Sequence, residues 1–489
     1  MNRTKRLPDL LAAVDLSESG ASREVLVGGI CEDSRRVKPG DLFVAIDGTV
    51  RDGADFAADA AGRGAVAVIA ERQLRIEIPV FVVPDARRAL AQLASAFFDA
   101  PTEKLRTVGI TGTNGKTTVS HWVTHLLGPE RTELVGTVAN EGRGLSGMTT
   151  PSSPDVQRIA REAADAGKAN LVIEASSIGL AHSRLDAIAF DVAAFTNLTN
   201  DHLDLHEDLG AYIAAKAHLF RQVRPDGWSV VNADDPHACA ILAASAGRAL
   251  TVGRDPAAGL RATDVSALPD RTEFRVAWRG ETIPVVLPTI AVGGIENALV
   301  AAGVGICAGL SLAAAADGLR SVPAVPGRWE AFRDESGTTV VVDFAHNPDA
   351  LSKALERLRG AYDRAVAVFG TPGGTDRQKR LEMGQVSGRL ADLTVLTSDN
   401  PKDEAPERIV EEIARGVRQV GGRFETRVDR AEAVRQAVAR AGRGGVVLVA
   451  GKGHERYQIV RGERISYSDT SVLADLGFVP IEKASDGRR

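Results

Sequence analysis

Short runs of β-branched and other apolar residues alternate along this chain with longer Ala-, Arg- and Glu-rich stretches of helical period. Strands that are apolar on both faces are typical of parallel sheets covered by helices, and alternating strands and helices build such sheets. The predicted strands lie at residues 65–70, 79–83, 107–111, 171–176, 192–198, 229–233, 340–345, 365–370, 393–398 and 446–451. The sequence therefore predicts an α/β fold.

The length of the chain sets the number of domains. At about 150 residues per domain, the 489 residues predict three domains. A new strand–helix series opens after the proline of segment 99–105, and two prolines and a glycine interrupt segment 321–330. The predicted domains are therefore residues 1–103, 104–325 and 326–489.

Charge, cysteine usage and hydropathy exclude several classes of protein. The net charge of −5 is too balanced for a protein that binds a nucleic-acid backbone. Cys31, Cys239 and Cys307 lie far apart, which argues against disulfides and thiolate zinc sites and suits a reducing cytosol. The uncharged stretch 298–316 is mostly Ala and Gly and is typical of a buried helix pair. We predict a cytoplasmic protein with no membrane span and no nucleic-acid partner.

The segment TVGITGTNGKTT (107–118) combines a predicted strand, a glycine-containing loop and the start of a predicted helix. Glycines let backbone N–H groups face phosphate oxygens, a lysine such as Lys116 reaches the outer phosphates, and the hydroxyl of Thr117 can hold Mg²⁺. The spacing departs from the strict GxxxxGK[ST] pattern, because Ile110 stands where its first glycine is expected. The segment predicts a nucleotide-phosphate site, with a chance GKTT in an ordinary loop as the alternative.

Two further polar groups follow predicted strands. Glu174 ends one strand, and the segment around His202 follows the next. Ligands of open parallel sheets bind at the carboxyl ends of strands, where carboxylate and imidazole groups can hold Mg²⁺. The alternative for His202 is an ordinary polar loop. Lys216 lies on a predicted helix with apolar neighbours, and by itself it is better explained as a solvated or snorkelling lysine.

The chain resembles the Mur ligases of peptidoglycan synthesis over essentially its whole length. Segment 32–56 is similar to the first domain of that family, which holds a uridine nucleotide. The other shared motifs, in the family's order, are TGTNGKTT, EASS, FTNLTNDHLDLHEDLGAYIAAKAHLF, VNADD, VPGRWE, VVDFAHNPDA, TSDNPKDEAP and AGKGHERYQIV. The resemblance implies a central P-loop ATPase domain with a parallel or mixed sheet. It also implies an N-terminal α/β domain for the uridine nucleotide and a C-terminal Rossmann-like α/β domain.

The resemblance also implies a reaction. Family members transfer the γ-phosphoryl group of ATP to a peptide carboxylate, and an amine then displaces phosphate from the acyl phosphate. The motifs are most similar to those of members that add the third amino acid of the stem peptide. The expected reaction is ATP- and Mg²⁺-dependent ligation of meso-diaminopimelate to UDP-N-acetylmuramoyl-L-alanyl-D-glutamate. We expect a monomer whose last domain closes over the site.

Site residues carry over from the matching motifs. The ATP-binding residues implied are Gly112, Thr113, Asn114, Gly115, Lys116, Thr117, Thr118, Asn232, Arg328, Asp343 and His346. The residues implied for the uridine-nucleotide substrate are Ser34, Arg35, Thr149, Thr150, Ser176 and Arg184. The metal ligands implied are Thr117, Glu174, His202 and Lys216, the last as a carbamate that offers two oxygens. Lys116, Glu174, His202 and Lys216 are expected to be catalytic.

The amino-acid site departs from the family pattern. The residues implied for it are Arg380, Asp399, Asn400, Lys402, Gly451 and Glu455. Members that add meso-diaminopimelate carry DNPR, whose arginine binds the distal carboxylate, whereas this chain has Lys402 at that position. Lysine keeps the charge but lacks the bidentate fork. We expect a diamino diacid, with Glu455 on its distal ammonium; L-lysine or another diamino acid is the alternative.

Other departures leave further alternatives open. The family's GGDRDKGKRP reads GGTDRQKRL here, Ile178 replaces a histidine, and Gly294 replaces an asparagine. A paralogous amide ligase, such as one similar to folylpolyglutamate synthetase, is one alternative, although that enzyme lacks a uridine-nucleotide domain. A P-loop nucleotide switch without ligase activity is another, but it would not need Lys216, Arg380 or the GKGHE motif.

Overall fold

The computed structural model describes residues 3–16, 25–48, 51–145, 147–199, 208–267, 271–288, 293–374 and 377–481. These residues form three main sheets with helices packed against them, in the order expected of three successive α/β units. The predicted α/β class is confirmed, and each of the predicted strands coincides with a strand of the structure. The domain bounds at residues 103 and 325 stay predictions.

The first sheet has four parallel strands in the order β3-β4-β5-β6. Its inward-facing aliphatic side chains, among them Leu42 and Ile69, pack against Leu90 and Leu93 of a helix. The elements of this part are β1 (Lys5–Arg6), α1 (Leu7–Ala12), β2 (Leu26–Val27), β3 (Gly29–Cys31), β4 (Asp41–Val44), α2 (Ala57–Gly62), β5 (Ala67–Ala70), β6 (Val80–Val82) and α3 (Ala86–Phe97).

The second sheet has nine strands in the order β15-β14-β13-β12-β11-β10-β7-β9-β8. Its elements are β7 (Arg106–Thr111), α4 (Lys116–Leu127), β8 (Thr132–Val135), α5 (Thr137–Glu141), α6 (Ser153–Asp165), β9 (Asn170–Glu174), α7 (Ser177–Ala181), β10 (Phe190–Phe195), α8 (Leu209–Arg221), β11 (Val223–Asn232), α9 (Ala238–Ala243), β12 (Arg248–Gly253), β13 (Leu260–Ala267), β14 (Thr272–Trp278), β15 (Glu281–Leu287), α10 (Gly294–Cys307) and α11 (Leu312–Arg320). Strands β13 to β15 pair antiparallel and the others parallel, so the sheet is mixed.

The third sheet has seven strands in the order β20-β19-β18-β21-β17-β16-β24. Its elements are β16 (Glu330–Arg333), β17 (Thr339–Asp343), α12 (Pro348–Arg359), β18 (Ala365–Phe369), α13 (Arg377–Leu390), β19 (Leu393–Leu396), α14 (Pro406–Gln419), β20 (Phe424–Thr426), α15 (Arg430–Ala441), β21 (Val446–Ala450), β22 (Tyr457–Val460), β23 (Glu463–Ser466), α16 (Asp469–Asp475) and β24 (Val479–Pro480). β22 and β23 form a separate hairpin.

The uncharged stretch 298–316 lies within helices α10 and α11. Its residues Ala298 to Ala302 are buried against the nine-stranded sheet. The expected buried helix pair is therefore present. Within the described residues, no helix is both long enough and apolar enough to cross a bilayer.

The parallel strands bring distant parts of the sequence to one edge of the nine-stranded sheet. β7 lies between β9 and β10, and β11 follows β10. The P-loop after β7 therefore lies beside Glu174, which ends β9, and close to Asn232, which ends β11. Carboxyl ends of neighbouring parallel strands form the usual ligand site of such sheets.

A glycine pair sets how closely α13 and α14 pack. A Cβ on Gly416 would lie 2.1 Å from the carbonyl oxygen of Leu381, and one on Gly384 would lie 2.1 Å from that of Ile413. Backbone atoms cannot move aside as a flexible side chain can. We expect Gly416→Ala to destabilise the last domain by about 1–3 kcal/mol and to lower its melting temperature by several degrees, as calorimetry would measure.

Gly360→Ala, in the same domain, is the matched control. Its added Cβ would meet only backbone oxygens at 3.6–3.7 Å, an ordinary contact. Its effect is expected to stay within about 0.5 kcal/mol. Equal melting temperatures for the two variants would contradict the packing argument.

Candidate active site

A cleft of about 2180 Å³ lies between the carboxyl edge of the nine-stranded sheet and the last domain. The predicted site residues that line it are Thr113, Asn114, Gly115, Lys116, Thr117, Thr118, Thr149, Asn232, Arg328, Asp343, His346 and Glu455. Predicted residues from distant segments of the sequence therefore line the same cleft, some on the side of the nine-stranded sheet and others on the side of the last domain. The other predicted residues that the structure describes do not line it.

The loop from Gly112 to Gly115 has the backbone shape that its sequence predicts. Gly112 has φ +148° and a Cβ there would lie 1.9 Å from Oγ1 of Thr196, so no larger residue fits. Gly115 has φ +87° and immediately precedes α4. Nζ of Lys116 donates to the carbonyl oxygens of Gly112 at 2.8 Å and Thr113 at 2.9 Å. The ammonium group therefore lies over the loop, where phosphate oxygens would be bound.

Glu174 is the centre of a buried hydrogen-bond network behind the P-loop. Its side chain is fully buried. Its carboxylate accepts hydrogen bonds from Oγ1 of Thr117 at 2.9 Å, Oγ of Ser120 at 3.2 Å and Oγ1 of Thr137 at 3.0 Å. A carboxylate and a hydroxyl at a P-loop are hard oxygen ligands. This donor set fits Mg²⁺.

Lys216 lies on the other side of the P-loop. It is almost fully buried, and its ammonium group lies 4.3 Å from the ring centre of Tyr212, one helical turn earlier on α8. The Tyr212 hydroxyl is 3.0 Å from Oγ1 of Thr113. The lysine is therefore a buried neighbour of the loop. A snorkelling or solvated surface lysine, the alternative from sequence, is excluded.

His202 lies outside the described residues. Within the residues that the structure does describe, no group of three or more His, Cys, Asp or Glu side chains is arranged to hold a metal. Thr117 and Lys216, which are also predicted ligands, are not among those four residue types. The metal roles of all four predicted ligands stay predictions.

The last domain reaches the P-loop through Arg328. Nη2 of Arg328 donates to Oγ1 of Thr117 at 3.3 Å, and its guanidinium carbon lies 4.1 Å from the ring centre of Phe344. Burial lowers the pKa of Arg328, although Asp343 and Glu174 oppose that shift. One cation of the last domain is thus held at the phosphate end of the cleft.

Asn114 makes a second contact between the P-loop and the last domain. Its Nδ2 donates to Oδ2 of Asp349 at 3.2 Å, and its Oδ1 accepts from Nδ2 of Asn347 at 3.3 Å. Asn347 also caps α12 by accepting from the backbone N–H of Ala350. The N-terminus of α12 is therefore fixed directly to the phosphate loop.

Asp343, Asn232 and His346 lie around the same cleft. Oδ2 of Asp343 accepts from the backbone N–H of Trp329 at 2.8 Å, and burial raises the pKa of Asp343. Nδ2 of Asn232 donates to the carbonyl oxygen of Thr196 at 2.8 Å. Nδ1 of His346 is 2.9 Å from the carbonyl oxygen of Phe344. These contacts fix the three side chains at positions where a nucleotide could touch them.

Two histidines near Arg328 are neutral over the physiological pH range. Burial, with the charge of Arg328, lowers the pKa of His121 to about 4 and that of His454 to about 3. The side chain of His454 is 95 % buried, and its Nε2 lies 3.6 Å from Oε1 of Glu141. The imidazole of His454 therefore joins the last domain to α5 without adding a positive charge.

The residues predicted for the uridine nucleotide form a chain of contacts that leads to Glu174. Nη1 of Arg184 donates to the carbonyl oxygen of Thr150 at 2.6 Å. Oγ1 of Thr150 donates to the main-chain oxygen of Glu174 at 2.7 Å and lies 2.9 Å from Oγ of Ser176. Oγ1 of Thr149 lies 3.1 Å from Oγ1 of Thr137. These four predicted residues are therefore contiguous.

Ser34 and Arg35 lie on the first domain, in the short 3₁₀ helix Ser34–Arg36. Ser34 is buried, whereas the Arg35 side chain is 83 % exposed and forms two hydrogen bonds with Asp33. Burial raises the pKa of the neighbouring Glu32, which faces Arg184 of the middle domain. The 3₁₀ segment thus adjoins the side of the middle domain that carries Arg184.

Four predicted residues of the amino-acid site meet the lysine of the GKGHE motif. Nζ of Lys452 is fully buried and donates to Oδ1 of Asn400 at 3.0 Å and to Oε2 of Glu455 at 2.9 Å. Asp399 lies 3.7 Å from the same Nζ. A Cβ on Gly451 would lie 2.9 Å from Oδ2 of Asp399. Of this group, Glu455 lines the cleft.

Lys402 and Arg380 do not line the cleft as the structure stands. The Lys402 residue is exposed and has φ +55°. Arg380 is fully buried, where Nη1 donates to Glu404 at 2.9 Å and to Glu412 at 2.7 Å. Its guanidinium therefore neutralises two carboxylates of its own chain. A role for either residue in binding an amino acid stays a prediction.

Sequence reasoning missed several polar residues of the cleft. Thr137, Glu141 and Asp349 line it, as do His454 and Tyr457. Asp349 and His454 lie inside motifs that already pointed to a ligand, AHNPDA and GKGHE. No local signal marks Thr137 or Glu141, because they face the site only through the packing of α5 beside β9.

The three parts of the chain match the profiles of one family. The Mur ligase middle domain matches residues 110–305. The glutamate ligase domain of Mur ligases matches residues 327–453, and the catalytic domain of the Mur ligase family matches residues 27–98.

Named relatives and a solved structure are similar over nearly the whole chain. The UDP-N-acetylmuramoyl-L-alanyl-D-glutamate--2,6-diaminopimelate ligase of Geobacillus thermodenitrificans is 39 % identical, over 90 % of this chain and 92 % of that protein. The enzyme of the same name from Chlorobaculum tepidum is 40 % identical, over 96 % of each chain. A solved structure of a ligase of this name superposes with a TM-score of 0.67 at 30 % identity, over 95 % of this chain and 98 % of that one.

Substitution of Arg380 tests whether this residue stabilises the fold or binds the amino acid. Arg380→Ala leaves Glu404 and Glu412 close together without their cation, so we expect it to reduce stability by about 3 kcal/mol. Arg415→Ala is the control, since that side chain is 65 % exposed and lies 4.0 Å from a different carboxylate, that of Glu411, and should change stability by less than about 0.5 kcal/mol. Urea unfolding measures both. An unchanged midpoint for Arg380→Ala, with an increased KM for the amino acid, would instead support substrate binding.

Proposed function

This chain belongs to the Mur ligase family, and we propose that it joins meso-diaminopimelate to UDP-N-acetylmuramoyl-L-alanyl-D-glutamate with hydrolysis of ATP to ADP and phosphate. The relatives that carry the name of this reaction are 39–40 % identical over at least 90 % of the chain. A cytoplasmic location and a monomeric state stay predictions from the sequence.

One structural observation carries the proposal. A single cleft has the P-loop residues Lys116 and Thr117 on one wall and Glu455 of the GKGHE motif on the other. A nucleotide switch would need the first wall alone. A ligase must hold a phosphate donor and an amine in one space, and this cleft has a group suited to each.

In the first step, an oxygen of the D-glutamate carboxylate attacks the γ-phosphorus of ATP. The new O–P bond replaces the bond to the bridging oxygen, and ADP leaves. Both reactants are anions, so cations at the phosphates should supply most of the acceleration. Lys116 and Arg328 are the cations placed there, and Asn114 ties their two domains together.

In the second step, the amine of the incoming amino acid attacks the carbonyl carbon of the acyl phosphate. The C–N bond forms, the C–O bond to phosphate breaks, and the amine loses a proton. Glu455 and Glu141 lie at this end of the cleft and would attract the ammonium group of the amino acid. Water must be excluded because it would hydrolyse the acyl phosphate, and the hydrogen bonds of Arg328 with Thr117 and of Asn114 with Asp349 join the last domain to the middle one.

Mg²⁺ would neutralise phosphate oxygens when bound, and Thr117 and Glu174 are the described residues that fit it. Lys216 would serve this site as a carbamate, which replaces a cation by a two-oxygen anion. Its burial beside the P-loop supports that proposal, because a bound Mg²⁺ would balance the charge of a buried carbamate, whereas a buried ammonium group would repel the metal.

An amino-acid comparison tests the function directly. Purified protein with ATP, Mg²⁺ and the muramoyl dipeptide nucleotide should release phosphate when meso-diaminopimelate is added, and much less with L-lysine. Mass spectrometry should show the tripeptide nucleotide. If neither amino acid stimulates phosphate release, the proposal is wrong; if L-lysine is preferred, the substrate is misassigned.

Lys216→Ala tests the carbamate. Without the anionic group, kcat should fall by about 100-fold or more, and short carboxylates such as acetate or formate should restore part of it. Lys168→Ala is the control, because that lysine pairs with Glu133 away from the cleft. A fall in kcat that no carboxylate restores, or unchanged turnover, would contradict the carbamate role.

A further inference from the structure

The second carboxylate of the proposed amino acid has no evident cation among the residues expected from the sequence. This carboxylate distinguishes diaminopimelate from lysine, so the question rests on the proposed function. Arg380 is enclosed by Glu404 and Glu412. Lys402 is exposed and does not line the cleft. Another cation must therefore be sought at the same end of the cleft.

The hairpin formed by β22 and β23 is bonded to the loop that contains Lys402. The backbone N–H of Lys402 donates to the carbonyl oxygen of Ile459 at 2.9 Å, and that of Arg461 donates to the carbonyl oxygen of Lys402 at 2.7 Å. The backbone N–H of Ile459 donates to Oδ1 of Asn400 at 3.0 Å. The hairpin is thus held rigidly beside Asn400, which also contacts Glu455.

One face of the hairpin carries a guanidinium beside the cleft. Ile459 and Arg464 are cross-strand partners. Tyr457 lies two residues from Ile459, so it shares a face with both. Arg464, like Lys402, is exposed and does not itself line the cleft, but its guanidinium carbon lies 4.4 Å from the ring centre of Tyr457, which does line it. Arg464 therefore lies within one aromatic ring of the space where the amino acid would be bound.

The charges around Tyr457 match the end of an α-amino acid. Burial and then Glu455 raise the pKa of Glu141, while Arg456 and, after it, Arg464 oppose that shift, so each of these charges lies within electrostatic reach of Glu141. The two carboxylates suit an ammonium group, and the guanidinium suits a carboxylate. An ammonium and a carboxylate on one carbon would meet both signs of charge here.

We propose that Arg464 determines amino-acid specificity by binding the distal carboxylate of the diamino diacid with its guanidinium fork. A lysine at 402 lacks the bidentate geometry of an arginine, whereas Arg464 retains it. The aromatic ring of Tyr457 supports the guanidinium from one side and limits the positions that it can take. The substrate carboxylate would approach from the cleft.

Kinetics with two substrates test this role. For Arg464→Ala, we expect kcat/KM for meso-diaminopimelate to fall by about 10- to 100-fold, while kcat/KM for L-lysine, which lacks the second carboxylate, stays within about 2-fold. KM for ATP should not change. The kcat/KM of Arg464→Lys for meso-diaminopimelate should lie between that of the wild type and that of Arg464→Ala. Binding of each amino acid, measured by calorimetry, should change in the same way.

Arg461→Ala is the matched control, because it removes the same charge at the turn of the same hairpin. It should leave the preference between the two amino acids unchanged. Equal losses for both amino acids in Arg464→Ala, or no loss for either, would overturn the proposal. Wild-type protein that uses neither amino acid would contradict the proposed function itself, which is a separate result.

Discussion

The buried carboxylate of Glu174 is the group on which the rest of the site depends. A fully buried charge is costly unless hydrogen bonds satisfy it, and Thr117, Ser120 and Thr137 do so here. These donors come from α4 and α5, so one carboxylate fixes the helix after the P-loop relative to its neighbour. The main-chain oxygen of Glu174 accepts from Thr150, which extends the same network toward the substrate side.

The phosphate loop receives groups from the last domain as well as from its own. Arg328 and α12 both contact it, through Thr117 and Asn114 respectively. A reaction between two anions needs cations and exclusion of water at the same moment. Because these contacts join the two domains at the phosphate site, the cations around the phosphates are complete only when the last domain lies against the middle one. ATP is then activated in the same space in which the amine is bound.

At the amino-acid end of the cleft, an ion pair within the protein competes with the role that a motif predicts for its arginine. The sequence predicts that Arg380 and Lys402 bind the amino acid. In this fold Glu404 and Glu412 neutralise Arg380, and the left-handed backbone of Lys402 serves a loop that is bonded to a hairpin. The guanidinium of Arg464, on that hairpin, lies against the ring of Tyr457, which lines the cleft. In the proposed arrangement, the positive charge for the amino acid comes from the hairpin and not from the segments in which the sequence predicts it.

The resemblance to the Mur ligases implied the reaction class, and the sequence by itself determined the α/β class, the strands and the P-loop. Those features depend on local signals, such as the period of apolar residues and the positions of Gly112 and Gly115, which neighbours along the chain largely specify. The tertiary structure decided which side chains face the cleft. Thr137 meets Glu174 and Arg380 meets Glu412 only because separate elements pack together. The environment of a charged group, and hence its role, is set by what lies opposite it after folding, and no local pattern encodes that.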